Sequence, residues 1–278
     1  MAIDIELSIV LPTLNEAKNL QSLIPDIYSL LADQVNGIEF IIADDGSTDD
    51  TVEVIQKLID LGIPILLLSR KNEANSLPDS IRDGIKMARG DLVAWLDADG
   101  SMQAKVLLQL LAKWRTGSNG SERIVLASRF LEGGGSKGQN AVGSTTIIQS
   151  YANLRNSEDY AFAVLLSWML NKFLWYSMGK FCTDATSGFA ISSRSLLNEY
   201  EISGEYGEYF PRLIYEMFHD GVLIEEIPYV IKTRKHGVSK TGTSPFKILL
   251  SGIPYLKFAK SLVAKNLCSL VRWERSKF

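Results

Sequence analysis

The feature that most constrains this chain is an alternation in its first 130 residues. Five short, uninterrupted apolar runs are separated by stretches of helical periodicity. The runs predict strands at Leu7–Leu11, Ile38–Ala43, Ile63–Leu68, Leu92–Leu96 and Ile124–Ser128. They are continuous rather than alternating, as strands must be when helices cover both faces of a parallel sheet. Helices are expected between them, over Ala17–Ala32, Asp49–Leu61, Asp79–Ala88 and Gln103–Trp114. Thr48 or Asp49 suits the cap of the second, and Arg89-Gly90 the close of the third. Strand and helix in strict succession, joined by right-handed crossovers, give an α/β fold: an open, mostly parallel sheet with helices on both faces.

The second half is less regular. Residues 132–145 hold five glycines and predict a loop. An apolar helix over about 160–178 follows, then a strand at Gly188–Ser192, a helix at Glu208–Asp220 and a strand at Val222–Ile231. A basic loop, Lys232–Thr243, leads into a helical tail. The expected organisation is one domain over 1–245, with halves of about 1–130 and 131–245, and a tail over 246–278. The tail carries seven Lys or Arg against one acid, Glu274. At helical spacing, Ala259, Leu262, Val263, Leu267, Leu270 and Trp273 share one face, and Lys257, Lys260, Lys265, Arg272 and Arg275 the other. This is a basic amphipathic helix suited to an anionic membrane surface, or to docking on the domain with its basic face in water.

Composition removes several classes. The chain has 29 Lys and Arg against 32 Asp and Glu, a net charge of −3, so no global basic field points to nucleic acid. Two cysteines and two histidines leave no material for a disulfide scaffold or a His-rich metal cluster. The opening MAIDIELSIVLPT lacks the pattern of a secretory leader, so a cytoplasmic location is expected. No uncharged run reaches the ~20 residues of a membrane span. The nearest, Tyr160 to Gly179, is interrupted by Lys172. Its Trp168, Trp175 and Tyr176 suit a membrane interface or a core.

Ligands of an open parallel sheet bind beyond the carboxyl ends of its strands. The first run is followed by Pro12-Thr13-Leu14-Asn15-Glu16 and the second by Asp44-Asp45-Gly46-Ser47-Thr48-Asp49. The fourth is followed by Asp97-Ala98-Asp99-Gly100 and the fifth by Arg129. Each alone is an ordinary turn or cap, but four polar strand ends on one edge exceed what capping requires. Asp97 and Asp99, two carboxylates at a strand end, suit Mg²⁺ or Mn²⁺ together with phosphate oxygens. Asp44 and Asp45 suit hydrogen bonds from a base or ribose. A GxGxxG after the first strand, a GxxxxGK[ST] and a GxSxG are all missing, which argues against a dinucleotide dehydrogenase, a P-loop NTPase and an elbow hydrolase.

Together these residues resemble family 2 glycosyltransferases of the GT-A, Rossmann-like fold. The second half resembles the polyprenyl-phosphate sugar transferases, of the dolichol-phosphate mannosyltransferase kind. The motifs there are Ser128-Arg129-Phe130, Gly133-Gly134, Asp184-x-Thr186-Ser187-Gly188-Phe189 and Arg234-x-x-Gly237-x-Ser239-Lys240. The resemblance implies that Asp97 and Asp99 bind the metal and that Pro12, Asn15, Glu16, Asp44 and Asp45 line the nucleotide-sugar pocket. Arg129, Arg155, Arg234, Ser239 and Lys240 would contact donor or acceptor phosphates, and Asp184 would shape the sugar and acceptor pocket. The sequence departs from the family at Ser101, where a further metal ligand is usual, with Gln103 two residues on as the substitute. It also departs at Ala74-Asn75-Ser76 and at Tyr209-Phe210-Pro211-Arg212.

Transfer to a hydroxyl needs a general base near the anomeric carbon. Glu158-Asp159 reads as a helix start, which leaves Asp184 as the candidate. Transfer to a phosphate needs cations instead, because its oxygen is already ionised. The reading that follows is metal-dependent, inverting transfer of a sugar from a GDP- or UDP-linked donor to a polyprenyl phosphate at the cytoplasmic face of a membrane. A transferase with a soluble glycan or small-molecule acceptor, and an inactive nucleotide-sugar binder, are the alternatives.

Overall fold

The computed structural model describes residues 4–70, 76–117, 121–135, 161–232, 234, 236 and 250–262. The first half follows the expected alternation: β1 (Leu7–Thr13), α1 (Ala17–Leu31), β2 (Ile38–Asp44), α2 (Thr51–Asp60), β3 (Ile65–Ser69), α3 (Leu77–Met87), β4 (Leu92–Trp95), α4 (Ala104–Thr116) and β5 (Arg123–Ser128). The second half adds α5 (Ala161–Ser177), β6 (Ala190–Ser193), α6 (Arg194–Leu197), α7 (Tyr209–His219) and β7 (Leu223–Pro228). A further helical stretch occupies residues 253–262.

The seven strands form one sheet in the order β3-β2-β1-β4-β6-β5-β7. β1 pairs in parallel with β2 from Leu7↔Ile38 to Thr13↔Asp44, and with β4 from Leu7↔Leu92. β5 and β7 also pair in parallel. β6 is inserted antiparallel between β4 and β5. Its insertion has a positional consequence: the loop that enters β6, carrying Asp184 to Phe189, lies at the same sheet edge as the ends of β4 and β5.

Side chains on successive residues of a strand point to opposite faces, so each strand feeds two cores. Ile9, Leu11, Ile42 and Val125 pack under Ile24, Ile27, Leu107 and Leu110 on one face. Val10, Ile41, Trp95 and Leu126 pack against Ile81, Ile85, Leu174, Phe210 and Ile214 on the other. Helices therefore cover both faces, as the unbroken apolar runs required. Phe258, Ala259 and Leu262 are buried in the second core. The described turns of the tail thus dock on the domain by the apolar face that the sequence assigned to them, while Lys257 and Lys260 are exposed. Residues 263–278, with the rest of both faces, lie outside the described residues.

Two local expectations are corrected. α3 begins two residues early, at Leu77, because Ser76 caps it by accepting from the Asp79 amide and Pro78 sits in the first turn, where its missing N–H costs nothing. Gly90 is not the cap of that helix, which ends at Ala88. A Cβ at Gly90 would stand 2.7 Å from the Ser8 nitrogen. The Gly90 amide donates to Ser8 Oγ at 2.9 Å, so glycine is needed for close approach to β1.

Candidate active site

The strand ends converge on one edge, and the residues after each strand are fixed by one another. Asn15, past the end of β1, adopts the left-handed conformation with φ 55°. That costs a non-glycine residue about 1 kcal/mol or more unless its side chain bonds locally. Here Asn15 Oδ1 accepts from the Thr48 amide at 2.7 Å and the Asp49 amide at 3.3 Å. In return Ser47 Oγ accepts from the Asn15 amide at 2.8 Å. Asp44, 1% exposed at the end of β2, takes the Ser47 amide and hydroxyl. Asp49 takes the Thr51 and Ala17 amides, so it serves both α2 and α1. The 44–51 turn and the 13–17 turn are thus one hydrogen-bonded unit, with Gly46 supplying the φ of 84° that the turn needs.

Asp45 faces different partners. Arg70 Nε donates to its Oδ1 at 2.8 Å, and Ser80 Oγ donates to the same carboxylate at 2.8 Å. Arg70 also pairs with Asp83 and is 2% exposed at its side chain. Arg70 follows β3 as directly as Asp45 follows β2, so the strand-end rule extends to it. Its burial between two carboxylates fixes the rotamer of Asp45.

The two carboxylates after β4 differ. Asp97 is exposed, whereas Asp99 is 6% exposed and takes the Ser101 amide on Oδ1 at 2.9 Å. Arg234 Nη2 lies 2.8 Å from Asp99 Oδ2, and its Nη1 lies 3.7 Å from Glu16 Oε1. A guanidinium from the far end of the chain therefore joins the acids after β1 and β4. Gln103 Nε2 donates to the Val230 carbonyl at 2.9 Å, which ties the start of α4 to the chain beyond β7. Pro12 sits within β1, one residue before Thr13.

Arg129, directly after β5, makes a two-point pair with Asp184: Nε to Oδ2 at 2.7 Å and Nη2 to Oδ1 at 2.8 Å. The Arg129 amide also donates to Asp184 Oδ2 at 3.0 Å. Nη2 donates further to Thr186 Oγ1 at 2.7 Å. Burial alone would lower the guanidinium's affinity for its proton, but the adjacent Asp184 charge and its hydrogen bonds outweigh that and raise it. Arg129 is thus charged at every working pH. Asp184 is 0% exposed, and both of its oxygens carry several donors, since Oδ1 also accepts from the Thr186 amide at 3.2 Å.

Three tyrosines lie at the site, of which the sequence marked only Tyr209, as part of a departure from the family's motif. Tyr209 opens α7, Tyr229 follows β7, and Tyr255 comes from the docked tail helix. Burial raises all three phenols, and the nearby Asp97 charge adds to each, so they stay neutral. Trp95 Nε1 donates to the Tyr209 hydroxyl at 3.2 Å. Gly207 leaves room for Tyr255, because a Cβ there would stand 2.0 Å from its hydroxyl. Of the residues singled out in the sequence, Pro12, Asn15, Glu16, Asp44, Asp45, Asp97, Asp99, Gln103, Arg129, Asp184 and Arg234 are described. Arg155, Ser239 and Lys240 lie outside the described residues.

Among the described residues no group of three or more His, Cys, Asp or Glu converges as a metal cage. A pair of carboxylates is what remains, and the cation now at Asp99 is Arg234. No helix among the described residues is long and apolar enough to cross a membrane.

Comparison with known proteins supplies the family. The profile of Glycosyl transferase family 2 matches residues 8–200. A dolichol-phosphate mannosyltransferase from Pyrococcus furiosus is 32% identical over 131 residues, which is 46% of this chain and 34% of that relative. The chain thus spans about a third of that relative's length. A dodecaprenyl-phosphate galacturonate synthase from Rhizobium johnstonii is 23% identical over 261 residues, 92% of this chain and 68% of the relative. Among solved structures, glucosyl-3-phosphoglycerate synthase from Mycobacterium tuberculosis, in complex with Mn²⁺, UDP and glucosyl-3-phosphoglycerate, superposes with a TM-score of 0.57 at 21% identity. That superposition covers 95% of this chain and 79% of that one. It shows the shared GT-A fold.

Proposed function

This chain belongs to glycosyl transferase family 2, and on that premise we propose that it moves a sugar from a nucleotide-diphosphate donor to a polyprenyl phosphate at a membrane surface. The family and the GT-A fold make it a glycosyltransferase. The acceptor is inferred from Asp184. A hydroxyl acceptor needs a base, and Asp184 was the candidate. That carboxylate is fully buried, paired with Arg129 at two points, and loaded with amide and hydroxyl donors. With both oxygens taken up by these buried donors, the carboxylate has no lone pair to offer a substrate hydroxyl. A nucleophile that arrives ionised needs no base, only cations to hold it, and Arg129 is a permanently charged one. Two relatives carry a prenyl phosphate in their names, which agrees with this reading.

The donor site is assigned to the edge built by β1, β2 and β4. Asp45, fixed by Arg70 and Ser80, presents a carboxylate to the base or ribose of GDP or UDP. Asp44, Asn15, Pro12 and Glu16 shape the surrounding turns. Asp97 and Asp99 are hard oxygen ligands, and the close approach of Arg234 to Asp99 marks a place that already holds a positive charge. The residues therefore fit Mg²⁺ or Mn²⁺ completed by diphosphate oxygens, and Gln103, held through Nε2 by the Val230 carbonyl, has Oε1 as its ligating atom. When bound, the metal neutralises charge on the departing diphosphate. Arg234, Arg155, Ser239 and Lys240 would contact the acceptor phosphate. The phosphate oxygen attacks the anomeric carbon, the bond to the nucleoside diphosphate breaks, and the configuration inverts.

Membrane contact is assigned to α5 and the tail. Leu165, Trp168, Met169, Phe173 and Tyr176 form an exposed apolar stripe along α5. Lys172 and Lys180 lie 4.7 and 5.2 Å from the Trp175 ring. Aromatics with flanking lysines favour the interfacial zone of a bilayer. Leu250, Ile253 and Leu256 of the tail are exposed as well.

The test is transfer of labelled sugar from a panel of GDP- and UDP-sugars, with Mg²⁺ or Mn²⁺, to polyprenyl phosphate in anionic vesicles. One donor giving an inverted lipid-phosphate product is expected. Transfer only to a soluble acceptor, or a retained anomeric configuration, overturns the reading.

A further inference from the structure

Three residues between α5 and β6, Thr183, Asp184 and Ala185, carry the partner of Arg129, and two side chains from other elements take up their backbone polar groups. On one side Glu226 of β7 accepts from the Thr183 amide at 2.8 Å, the Thr183 hydroxyl at 2.7 Å and the Asp184 amide at 3.2 Å. On the other, Asn171 of α5 donates through Nδ2 to the Thr183 carbonyl at 2.7 Å and accepts at Oδ1 from the Ala185 amide at 2.9 Å. Asn171 is 1% exposed, in a helix that is otherwise strongly apolar. A buried amide in that setting is costly unless both of its ends are satisfied, and here both are. Its two bonds run to residues on either side of Asp184. They therefore set where that carboxylate stands, and with it the Arg129 guanidinium.

We infer that Asn171 is a positioning residue for the phosphate-holding Arg129, acting through the Thr183–Ala185 segment and Asp184. Only an amide has the required pair of functions. An apolar side chain satisfies neither the Thr183 carbonyl nor the Ala185 amide, and a carboxylate has no N–H for the Thr183 carbonyl. Glu226 grips the same segment from β7, so the segment is held between α5 and the sheet. α5 thus presents its exposed apolar stripe on one side and the anchor of the site on the other.

The inference rests on the reading of Arg129 as the acceptor-phosphate residue, and the experiment separates the two. Full-length Asn171→Leu, which keeps the volume and removes both hydrogen bonds, is compared with the wild type. The measurements are acceptor KM and kcat on vesicles containing polyprenyl phosphate, and nucleotide affinity by calorimetry. Acceptor KM is expected to rise about tenfold or more, with nucleotide affinity within about twofold of the wild type. In an Arg129→Lys background, which keeps the charge but loses the two-point pair, Asn171→Leu should add less than about a twofold change. Parallel loss of nucleotide affinity and acceptor KM, unchanged acceptor KM, or simple multiplication of the two effects overturns the inference. Should Asn171→Leu not fold, Glu226→Gln is read by the same split. A wild type that uses only a soluble acceptor overturns the acceptor reading alone, and the same comparison with that acceptor still decides the role of Asn171.

Discussion

At the residue scale the site is built of acids whose partners come from far along the chain. The Asp97-Ala98-Asp99 pair was legible because a strand end exposes successive side chains at a known edge, and the turn residues around Asn15 and Asp44 were legible for the same reason. What was not legible is which carboxylates are already paired. Asp45 depends on Arg70, Asp99 on Arg234 and Asp184 on Arg129, and such pairs are made by tertiary packing that no local pattern encodes. Asp97→Asn, at an exposed position, should leave the chain folded. It should nevertheless abolish the Mn²⁺-dependent part of nucleotide binding, read by calorimetry with and without the metal. Arg234 behaves in the opposite sense. Its guanidinium sits 2.8 Å from Asp99 Oδ2 and competes there with any metal. Arg234→Gln should therefore tighten Mn²⁺ binding to the nucleotide-free protein, by about tenfold if the lost competition is worth about 1.4 kcal/mol. Electron paramagnetic resonance of free Mn²⁺ reads this directly. Unchanged or weaker Mn²⁺ binding would show that the contact does not oppose the metal.

At the element scale the first five strands were legible because their apolar runs show no polar alternation, a pattern that burial on both faces explains for β1, β2, β4 and β5, while β3 at the sheet edge is only half-buried. β6 is different: its position between β4 and β5, and its antiparallel sense, come from pairing with strands that precede it by about 65 to 100 residues. Nothing within Ala190–Ser193 announces that. α5 was legible as an apolar helix, but its two faces were not. Asn171 and Leu174 turn inward, while Leu165, Trp168, Met169, Lys172, Phe173 and Tyr176 turn out. Hydrophobicity on both faces hides this split from any periodicity argument. If the outer stripe seats on lipid, Met169→Glu with Phe173→Glu should abolish flotation with anionic vesicles and transfer to vesicle-borne acceptor. Transfer to a short-chain, water-soluble prenyl phosphate should persist. Loss of both activities together would move the stripe's role from lipid contact to the site. At the opposite end of the sheet, Glu6 takes the Asn36 amide at 2.8 Å and Arg115 Nη2 at 2.6 Å, joining the entry of β1 to the end of α4. Burial pushes its carboxyl up, but these bonds and the Arg115 charge together carry it below its ordinary value of 4.5. A lowered folded value means that the contribution is complete above the unfolded value and is lost as pH falls through the folded one. The stability gap between wild type and Glu6→Gln, from urea midpoints, should thus be flat above about pH 5 and close progressively below pH 4.5.

At the scale of the whole molecule, one edge of the sheet collects residues from every part of the chain. The ends of β1, β2, β4 and β5, the loop into β6, the start of α7, the residue after β7, the basic loop at Arg234 and the tail helix all reach it. The α/β class was legible because it follows from the order of elements. The placing of Tyr209 and Tyr255 at the site was not, because it depends on how α7 and the tail dock on the second core, where Phe210, Phe258 and Leu262 are buried together, and Tyr229 comes from the first core. A site assembled from so many elements ties ligand binding to global stability, since most of its parts are lost together on unfolding. A ligand present at about 100 times its Kd adds about 2.7 kcal/mol, and at about 2–4 °C per kcal/mol the midpoint of a chain this size should rise by roughly 5–10 °C. The rise is expected with nucleoside diphosphate and Mn²⁺ together, to be small with either alone, and to vanish in Asp97→Asn, if Asp97 and Asp99 are the carboxylates that would hold the metal. Scanning fluorimetry with GDP and UDP in parallel also ranks the bases by the size of the rise. A full rise with nucleotide alone, preserved in Asp97→Asn, would instead place the diphosphate on the arginines and remove the metal from donor binding.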